Sequence, residues 1–488
     1  NPKCHIYQGC GGCHLMHLSS KGQQEFKTKR VKDCMERIGH LEVDVQPCLM
    51  QENPWYYRNK VQMPLGYDKN GQLVTGFYKQ RTNDIIACDE CLIQNEESNS
   101  VIQRVKELFV EYNIKPYDKV THRGNIKHIL TKKGYHSEEF MLCFITYQKT
   151  IKHIDQIVEI LIQEFPHIKT IIQNINERHD NVILGDEEKI LYGKGYIYDT
   201  LLDNQYKISL KSFYQINPIQ VEKLYQTAID LAHLNNDSIV LDAYCGIGTI
   251  TLSLAKHVKK VYGVEVVPQA IEDAKNNALL NKIDNAEFVC DDAGKYMVEL
   301  VKKNTHLDVV FVDPPRKGCS EEFLEHLIQA SPKEIIYISC DVATQARDAK
   351  YLNEHGYTIT HCQPVDMFPH TFHVESIVLL SHKLPDSHID VKVEFGEGEE
   401  KVPLDKIAER AKQHQPAPRV TYKMIQEYIE EKYGFKVHTA YIAEVKRNLG
   451  LPMYDAPNMV EELKQPRRHP TAEKVEAIKD ALKHFGVI

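Results

Sequence analysis

The stretch Leu241-Asp242-Ala243-Tyr244-Cys245-Gly246-Ile247-Gly248-Thr249 decides how this chain folds: an apolar run beginning at Ile239 breaks into a glycine turn, and a helix then runs to Lys256. Glycines at such a turn let a ligand approach the backbone beside a helix N-terminus, where unpaired N–H groups point outward. Similar apolar runs follow at Val261 to Glu265, Val309 to Asp313 and Ile335 to Ser339. Continuous apolar runs separated by helices predict a parallel sheet buried on both faces, so a Rossmann-like α/β domain is expected over residues 201–384. Two ligand classes use such a turn. In the dinucleotide fingerprint a third glycine would stand where this chain has Thr251, whereas Asp242-x-x-x-Gly246-x-Gly248 favours an S-adenosylmethionine (SAM) site with Gly246 at its turn. Glu265, at the end of the following strand, suits a ribose diol in either class. A nicotinamide oxidoreductase therefore stays open at this point.

The rest of the chain sets the frame. Its 488 residues exceed what one core fills, so several domains are expected. No apolar run approaches the roughly 20 residues of a membrane helix. The opening Asn1-Pro2-Lys3-Cys4 lacks a basic-then-apolar secretory pattern and reads as a processed or trimmed product, so a cytoplasmic location is expected. The net charge of -8 argues against a uniformly basic nucleic-acid binder, but residues 1–81 hold twelve Lys and Arg against seven Asp and Glu. Residues 1–200 mix short β-like runs (Lys60 to Leu65, Phe140 to Thr146) with an amphipathic helix from Ser100 to Tyr112, which predicts an α+β domain. Residues 385–402 read as an acidic linker. Residues 403–488 form a small helical extension: Thr421 caps a helix with Met424, Ile425, Tyr428, Ile429 and Tyr433 on one face and Gly434 as its stop. Thr439 caps a second, with Ile442, Val445 and Leu449 inward and Gly450 as its stop. The pair resembles a helix-turn-helix presenting Tyr441, Lys446 and Arg447 outward; a packing or protein-contact module is the competing reading. No obligate protein partner is implied.

Chemistry concentrates at two strand ends. Asp313-Pro314-Pro315-Arg316-Lys317-Gly318 closes one strand and Ser339-Cys340-Asp341 the next, on the same rim as the glycine turn. Methyl transfer to an exocyclic nitrogen calls for an aromatic after the double proline, and here Arg316 stands there. A cysteine on the adjacent strand end suits another reaction. Uracil C5 is a poor nucleophile until a thiolate adds to C6; a base must then remove the C5 proton. Cys340 supplies the thiol, and Glu375, in Pro369-His370-Thr371-Phe372-His373-Val374-Glu375-Ser376, is the natural base. With Phe213-Tyr214-Gln215, which precedes a helix capped by Asn217 and begun by Pro218, these segments resemble the RNA uracil-5 methyltransferase family over roughly residues 1–384. The resemblance implies that Gln215, Tyr244, Glu265 and Asp313 contact SAM, that Cys340 is the nucleophile and that Glu375 is the base.

Thirteen cysteines in a chain without a secretory pattern favour metal binding or catalysis over disulfides. On spacing alone, Cys10-x2-Cys13 with Cys88-x2-Cys91 could bind zinc, or Cys4, Cys10, Cys13 and one later cysteine could hold a cubane cluster. The second arrangement resembles the rRNA-directed branch of the family, whose fourth ligand precedes an apolar pair, as Cys91 precedes Leu92-Ile93. That resemblance implies a 4Fe-4S cluster on Cys4, Cys10, Cys13 and Cys91 in an N-terminal iron–sulfur and RNA-binding domain, with 23S rRNA as the substrate at one or two sites. The branch acting on tRNA and a catalytically idle RNA-binding scaffold are the alternatives. Trp55-Tyr56-Tyr57-Arg58-Asn59-Lys60 is expected to stack bases and hold phosphates. The family usually carries an N-terminal OB-type barrel, and the present sequence begins just before Cys4.

Overall fold

In the computed structural model, residues 1–79, 82, 84–383, 422–449 and 470–485 are described. The chain divides into two compact units, Asn1–His388 and Ile389–Ile488. The linker, Leu384, Thr421 and Gly450 lie outside the described residues. Among the described residues no helix is long and apolar enough to cross a membrane.

The first unit opens with a single turn, α1 (Tyr7–Cys10), and a long helix, α2 (Ser20–Arg37), whose N-cap Ser19 accepts a hydrogen bond from the Gly22 N–H. The buried face of α2 is Gln23, Lys27, Val31 and Met35, a strict i, i+4 stripe that places two polar groups in the interior. A seven-stranded sheet follows, built from β1 (Lys60–Tyr67), β2 (Leu73–Tyr78), β3 (Ile85–Ala87), β4 (Ile126–Lys133), β5 (Phe140–Thr146), β6 (Ile168–Ile175) and β7 (Glu187–Gly193) in the order β3-β2-β1-β4-β5-β6-β7. Only β5 and β6 run parallel, because α4 (Ile154–Glu164) crosses between them. Helix α3 (Glu96–Glu111) starts four residues before its expected position because Asn95 caps it, accepting from the N–H groups of Glu97 and Ser98. Val101, Val105, Leu108 and Phe109 of α3 share one core with Leu142 and Phe144 of β5.

A hairpin, β8 (Tyr196–Leu201) and β9 (Asn204–Ser209), leads to α5 (Pro218–Leu231). The second sheet runs β12 (Ala286–Cys290), β11 (Lys260–Glu265), β10 (Ile239–Asp242), β13 (Val309–Val312), β14 (Glu334–Ser339), β16 (Glu375–His382), β15 (Tyr357–Val365). Its first five strands are parallel, as the apolar runs predicted, and the last two are antiparallel. Helices α6 (Thr249–Ala255), α7 (Pro268–Leu280), α8 (Ala293–Lys302), α9 (Glu321–Ala330) and α10 (Val342–Glu354) connect them. Strand order reverses between β10 and β13, the switch point at which doubly wound sheets open a cleft.

The expected boundary at residue 200 is crossed by packing. Val31, Met35 and Cys48 belong to the same core as Leu241, Tyr337 and Leu380, and Val45 and Leu49 form bridges with Cys362 and Val365 of β15. The apolar stripe of α2 finds its partner in α10 and β15, so residues 20–50 build onto the second sheet, while Ile6 packs on the core of the first, which begins at Lys60.

The second unit holds α11 (Tyr422–Tyr433), α12 (Thr439–Asn448) and a helix that sequence reading missed, α13 (Ala472–His484). Ile425, Ile429, Val437, Ile442 and Val445 pack on Ala477, Ile478, Ala481 and Leu482. Gly434 ends α11 at φ 72° as expected. His438, not Thr439, caps α12, its Nδ1 accepting from the Ala440 N–H at 3.2 Å. Leu449 is exposed, while Tyr441 packs against the core that α13 completes.

Candidate active site and a cavity of thiols

At the end of β10 the Asp242 carboxylate is buried and accepts a hydrogen bond from Thr251 Oγ1 at 2.6 Å. Thr251 thus holds an acid in place at the position where a dinucleotide turn would have glycine. Gly246 and Gly248 take left-handed backbones (φ 53° and 87°), and a Cβ on Gly248 would meet the Phe288 ring at 3.0 Å. Glu265 reaches back across the turn: it accepts from the Gly246 N–H at 3.3 Å and from the N–H groups of Val266 and Val267 at 2.9 and 3.1 Å. The Gln215 carbonyl accepts from Asn59 Nδ2 at 3.0 Å. Tyr244 meets Phe323 in a tilted contact, ring centroids 5.5 Å apart, and remains partly exposed.

The thiol–carboxylate pair comes from strand register. Ser339 of β14 pairs with Ser376 of β16, so Cys340 faces Glu375 on the next rung. In the parallel pairing of β13 with β14, Val312 lies beside Tyr337, which carries Asp313 and Arg316 past the same edge. Gln345 Nε2 donates to the carbonyls of Tyr337 and Ser376 at 2.8 and 3.1 Å and clamps the two strands. Asp341 caps α10 through the N–H groups of Ala343 and Thr344, fixing the turn that presents Cys340.

These groups share one electrostatic environment. Burial pushes the Glu375 carboxyl up to about 8, with Asp313 adding to the rise and Arg316 opposing it. Asp313 is raised to about 7 by burial and then by Asp242, which burial itself lifts to about 6. The Cys340 thiol is raised to about 11 by burial, then by Glu375 and Asp313, while Arg316 pulls it down. The resting site at neutral pH therefore holds a thiol and a protonated Glu375, with Arg316 the cation that favours a thiolate.

The loop leading to Glu375 is braced by residues that sequence reading did not single out. Lys27 of α2 forms a fully buried ion pair with Asp366 and donates to the Phe368 carbonyl at 3.1 Å. Gln23 Oε1 accepts from the His370 N–H at 3.0 Å, and the N–H groups of His14 and Leu15 both donate to the His370 carbonyl at 2.8 Å. His370 has φ 67°, an uncommon backbone for a non-glycine residue, held by these bonds. The available signal was the polar pair Gln23 and Lys27 on the otherwise apolar stripe of α2.

The segment Trp55 to Lys60 is a brace rather than an open base-stacking surface. Trp55 already stacks on His370 at 4.2 Å, the buried Tyr57 donates to the Pro369 carbonyl at 3.2 Å, and Asn59 is buried. These aromatics are committed to the base loop, which needs rigid partners because its own backbone is irregular.

Cys4, Cys10, Cys13 and Cys91 all line one cavity of ≈460 Å³, together with Arg58 and Lys60. Gly11 (φ 65°) turns the backbone between Cys10 and Cys13, and Asn99 fixes Cys91 by accepting from its N–H at 3.2 Å and donating to its carbonyl at 3.1 Å. Burial raises Cys4 and Cys10, and it lifts Cys13 to about 12 with Cys91, Cys10 and Cys4 adding to the rise. Cys88 is buried outside the cavity wall, its thiol donating to the Glu90 carbonyl at 3.3 Å. Among the described residues no three His, Cys, Asp or Glu side chains converge tightly enough for one metal ion.

A doubly wound sheet with a glycine turn and an acidic residue ending the next strand defines a Rossmann-like α/β class, and the comparisons with known proteins make it that of a SAM-dependent methyltransferase. Residues 20–383 match the family described as tRNA (Uracil-5-)-methyltransferase. An uncharacterized RNA methyltransferase of Bacillus cereus (strain ATCC 10987) is 47% identical over 380 residues, covering 78% of this chain and 82% of that protein. Another, from Clostridium tetani, is 43% identical over 381 residues, covering 78% and 83%. The crystal structure of Pyrococcus abyssi tRNA (uracil-54, C5)-methyltransferase in complex with S-adenosyl-L-homocysteine superposes with a TM-score of 0.63 at 29% identity, covering 76% of this chain and 86% of that one. The chain belongs to the RNA uracil-5 methyltransferase family.

Proposed function

We propose that this enzyme transfers the methyl group of SAM to C5 of a uridine in 23S rRNA, at one or two sites, through a covalent adduct with Cys340. The observation that carries the chemistry is the strand register that sets Cys340 opposite Glu375, with Asp313 and Arg316 at the same edge. In this reading the Cys340 thiolate adds to C6, and the electrons of the 5,6 double bond pass to an enolate. C5 then attacks the methyl carbon, the carbon–sulfur bond breaks and S-adenosylhomocysteine forms. Glu375 removes the C5 proton, and elimination restores the double bond and expels the thiolate. A sulfonium beside Glu375 and Asp313 favours their ionised forms, which turns a protonated resting Glu375 into a base when the donor is present. Gln215, Tyr244, Gly246, Glu265 and Asp313 form the SAM site, in which Glu265, oriented by three backbone N–H groups, takes the ribose diol with its remaining lone pairs.

RNA containing 5-fluorouridine tests the scheme, because fluorine cannot leave as a proton. With SAM it should trap an adduct on Cys340. An adduct on another cysteine, or full methylation by Cys340→Ala, refutes the scheme.

The rRNA assignment rests on the thiol cavity, which fits a 4Fe-4S cluster on Cys4, Cys10, Cys13 and Cys91. Such a cluster acts as a structural element here, since methyl transfer moves no net electrons. The Pyrococcus abyssi relative acts on tRNA, and that observation favours tRNA as the second reading. Mapping 5-methyluridine in cells with and without the protein separates the two: loss from 23S rRNA supports the first and loss from tRNA alone the second. We infer that the reaction runs in the cytoplasm.

A further inference from the structure

A second cavity, of ≈700 Å³, opens at the far end of β1 from the thiols. The thiol cavity takes in Lys60 and Val61 at the start of β1, and this one takes in Leu65, Gly66 and Tyr67 at its end. Lys60 and Tyr67, at the two ends of this eight-residue strand, lie about 23 Å apart along it. None of the residues at the Cys340 edge lines it.

Its walls are loops 115–124 and 176–183, and they are tied together. Tyr117 Oη lies 2.7 Å from His122 Nδ1 and 3.2 Å from His179 Nδ1, and Lys127 donates to the Arg178 carbonyl at 2.6 Å. Gly124 is needed at the bend, since a Cβ there would fall 1.9 Å from the Pro116 carbonyl oxygen. The cavity is thus preformed.

Its chemistry is mixed cationic and aromatic. Five Lys and Arg line it against three Asp. Two of those acids are already engaged: Asp180 by Arg178 at 2.7 Å, and Asp118 by the N–H groups of Val120 and Thr121. Lys115, Lys119 and Arg123 are exposed and make no ion pair among the described residues. Tyr67 is 54% exposed and has no ring partner among the described residues. His128 lines the same space, is buried, and carries an Nδ1 without a hydrogen-bond partner. Cations without ion pairs, of which Lys119 rests 5.1 Å over the Tyr78 ring of the same cavity, an exposed aromatic face and a buried polar ring are groups that can hold phosphate, base face and base edge of a single-stranded nucleotide.

We propose that this cavity holds an unpaired nucleotide of the RNA substrate, several residues along the strand from the uridine at Cys340. The proposal rests on the RNA methyltransferase reading and adds a second anchoring point to it. Lys115, Lys119 and Arg123 take the backbone phosphates, Tyr67 stacks on the base, and His128 meets its edge.

The test uses the full chain and two labelled probes, an oligouridine of about twelve nucleotides, which is within the range of single-strand site sizes, and an RNA duplex of equal length. The triple variant Lys115→Ala/Lys119→Ala/Arg123→Ala should weaken oligouridine binding at least about tenfold and lower the slope of log K against log salt by about 2, at about 0.7 per phosphate. Tyr67→Ala should weaken it about 5- to 100-fold with the slope unchanged, as expected for lost stacking. Duplex affinity should change by less than about twofold in both, and SAM affinity should match the wild type and report an intact fold. Wild-type affinity and slope in the variants overturn the proposal, and so does equal loss for duplex and single strand. Failure of the wild type to bind oligouridine at about 50 mM salt overturns it as well. Binding that depends on these residues in an enzyme that methylates no RNA would refute the methyltransferase reading and leave the cavity assignment standing.

Discussion

Glu375→Gln should make the protein more stable and less active, with the gain in stability growing as pH rises. Glu375 is 3% exposed, and its carboxyl is lifted from an ordinary 4.5 to about 8, chiefly by burial. A carboxylate raised in this way favours the folded state when protonated. Its contribution is complete below about pH 4.5 and is lost as pH climbs to about 8. The difference of about 3.5 pH units corresponds to about 5 kcal/mol at 1.36 kcal/mol per unit. Glutamine has the same shape and no proton to lose, so the variant escapes that loss. For a first unit of 388 residues, at about 2.1 cal/mol/K per residue, the unfolding entropy is about 0.8 kcal/mol/K. The variant should therefore melt about 6 °C above the wild type near pH 9 and with it near pH 4.5. Thermal melts of the ligand-free proteins across this range measure it. Parallel melting curves at every pH, or a variant that melts lower near pH 9, would refute the burial argument. In the trapping assay the same variant should form the Cys340 adduct from unmodified uridine and release it slowly; unchanged turnover would remove Glu375 from the reaction.

Lys27→Met should leave Asp366 buried without its partner, cost about 3–5 kcal/mol and lower kcat, whereas Lys27→Met/Asp366→Leu should recover most of the stability; thermal melts and single-turnover methylation read both. Cys13→Ser should lower folded yield and RNA binding before SAM affinity, and anaerobically purified wild type should contain about four iron and four sulfide per chain; zinc alone in such material would refute the cluster. Deletion of everything after Leu384 should leave SAM binding intact and weaken rRNA binding or shift the methylated site, as read by calorimetry, filter binding and site mapping.

Much of the catalytic sheet was open to reading because both of its faces are covered. Val309 to Val312 and Ile335 to Ser339 are buried without alternation, and such runs have one architectural meaning. Cys340, Glu375 and Asp313 could be nominated from chemistry and resemblance, and the structure brings them to one edge. What escaped was long-range. Lys27 meets Asp366 across 339 residues, and no local pattern announces that a lysine on an amphipathic helix will be fully buried. The Trp55 to Lys60 segment was misread for a related reason: aromatic and basic residues in sequence look alike whether they face RNA or brace a loop. Helix α13 lies beyond residues 451–469, where the chain offers no apolar periodicity to carry a reading forward, yet it supplies four of the nine buried core residues described in the second unit.

The same contacts explain why thiols and base belong to one structure although nothing in the reaction needs electrons from a cluster. Cys13 is followed directly by His14 and Leu15, whose N–H groups hold the His370 carbonyl, and Glu375 lies five residues further on. Trp55, packed on the His370 ring, lies on the segment whose Arg58 and Lys60 wall the thiol cavity. Asn59, between those two, holds the Gln215 carbonyl of the SAM site. A buried carboxylate can act on a C5 proton only while the loop that presents it is fixed to a fraction of an ångström, and this loop has an irregular backbone with no strand partners of its own from Asp366 to Val374. If the four thiols hold the proposed cluster, it ties two of the loop's braces to Asn59, which holds Gln215, and its loss should act on the geometry of proton removal as well as on stability.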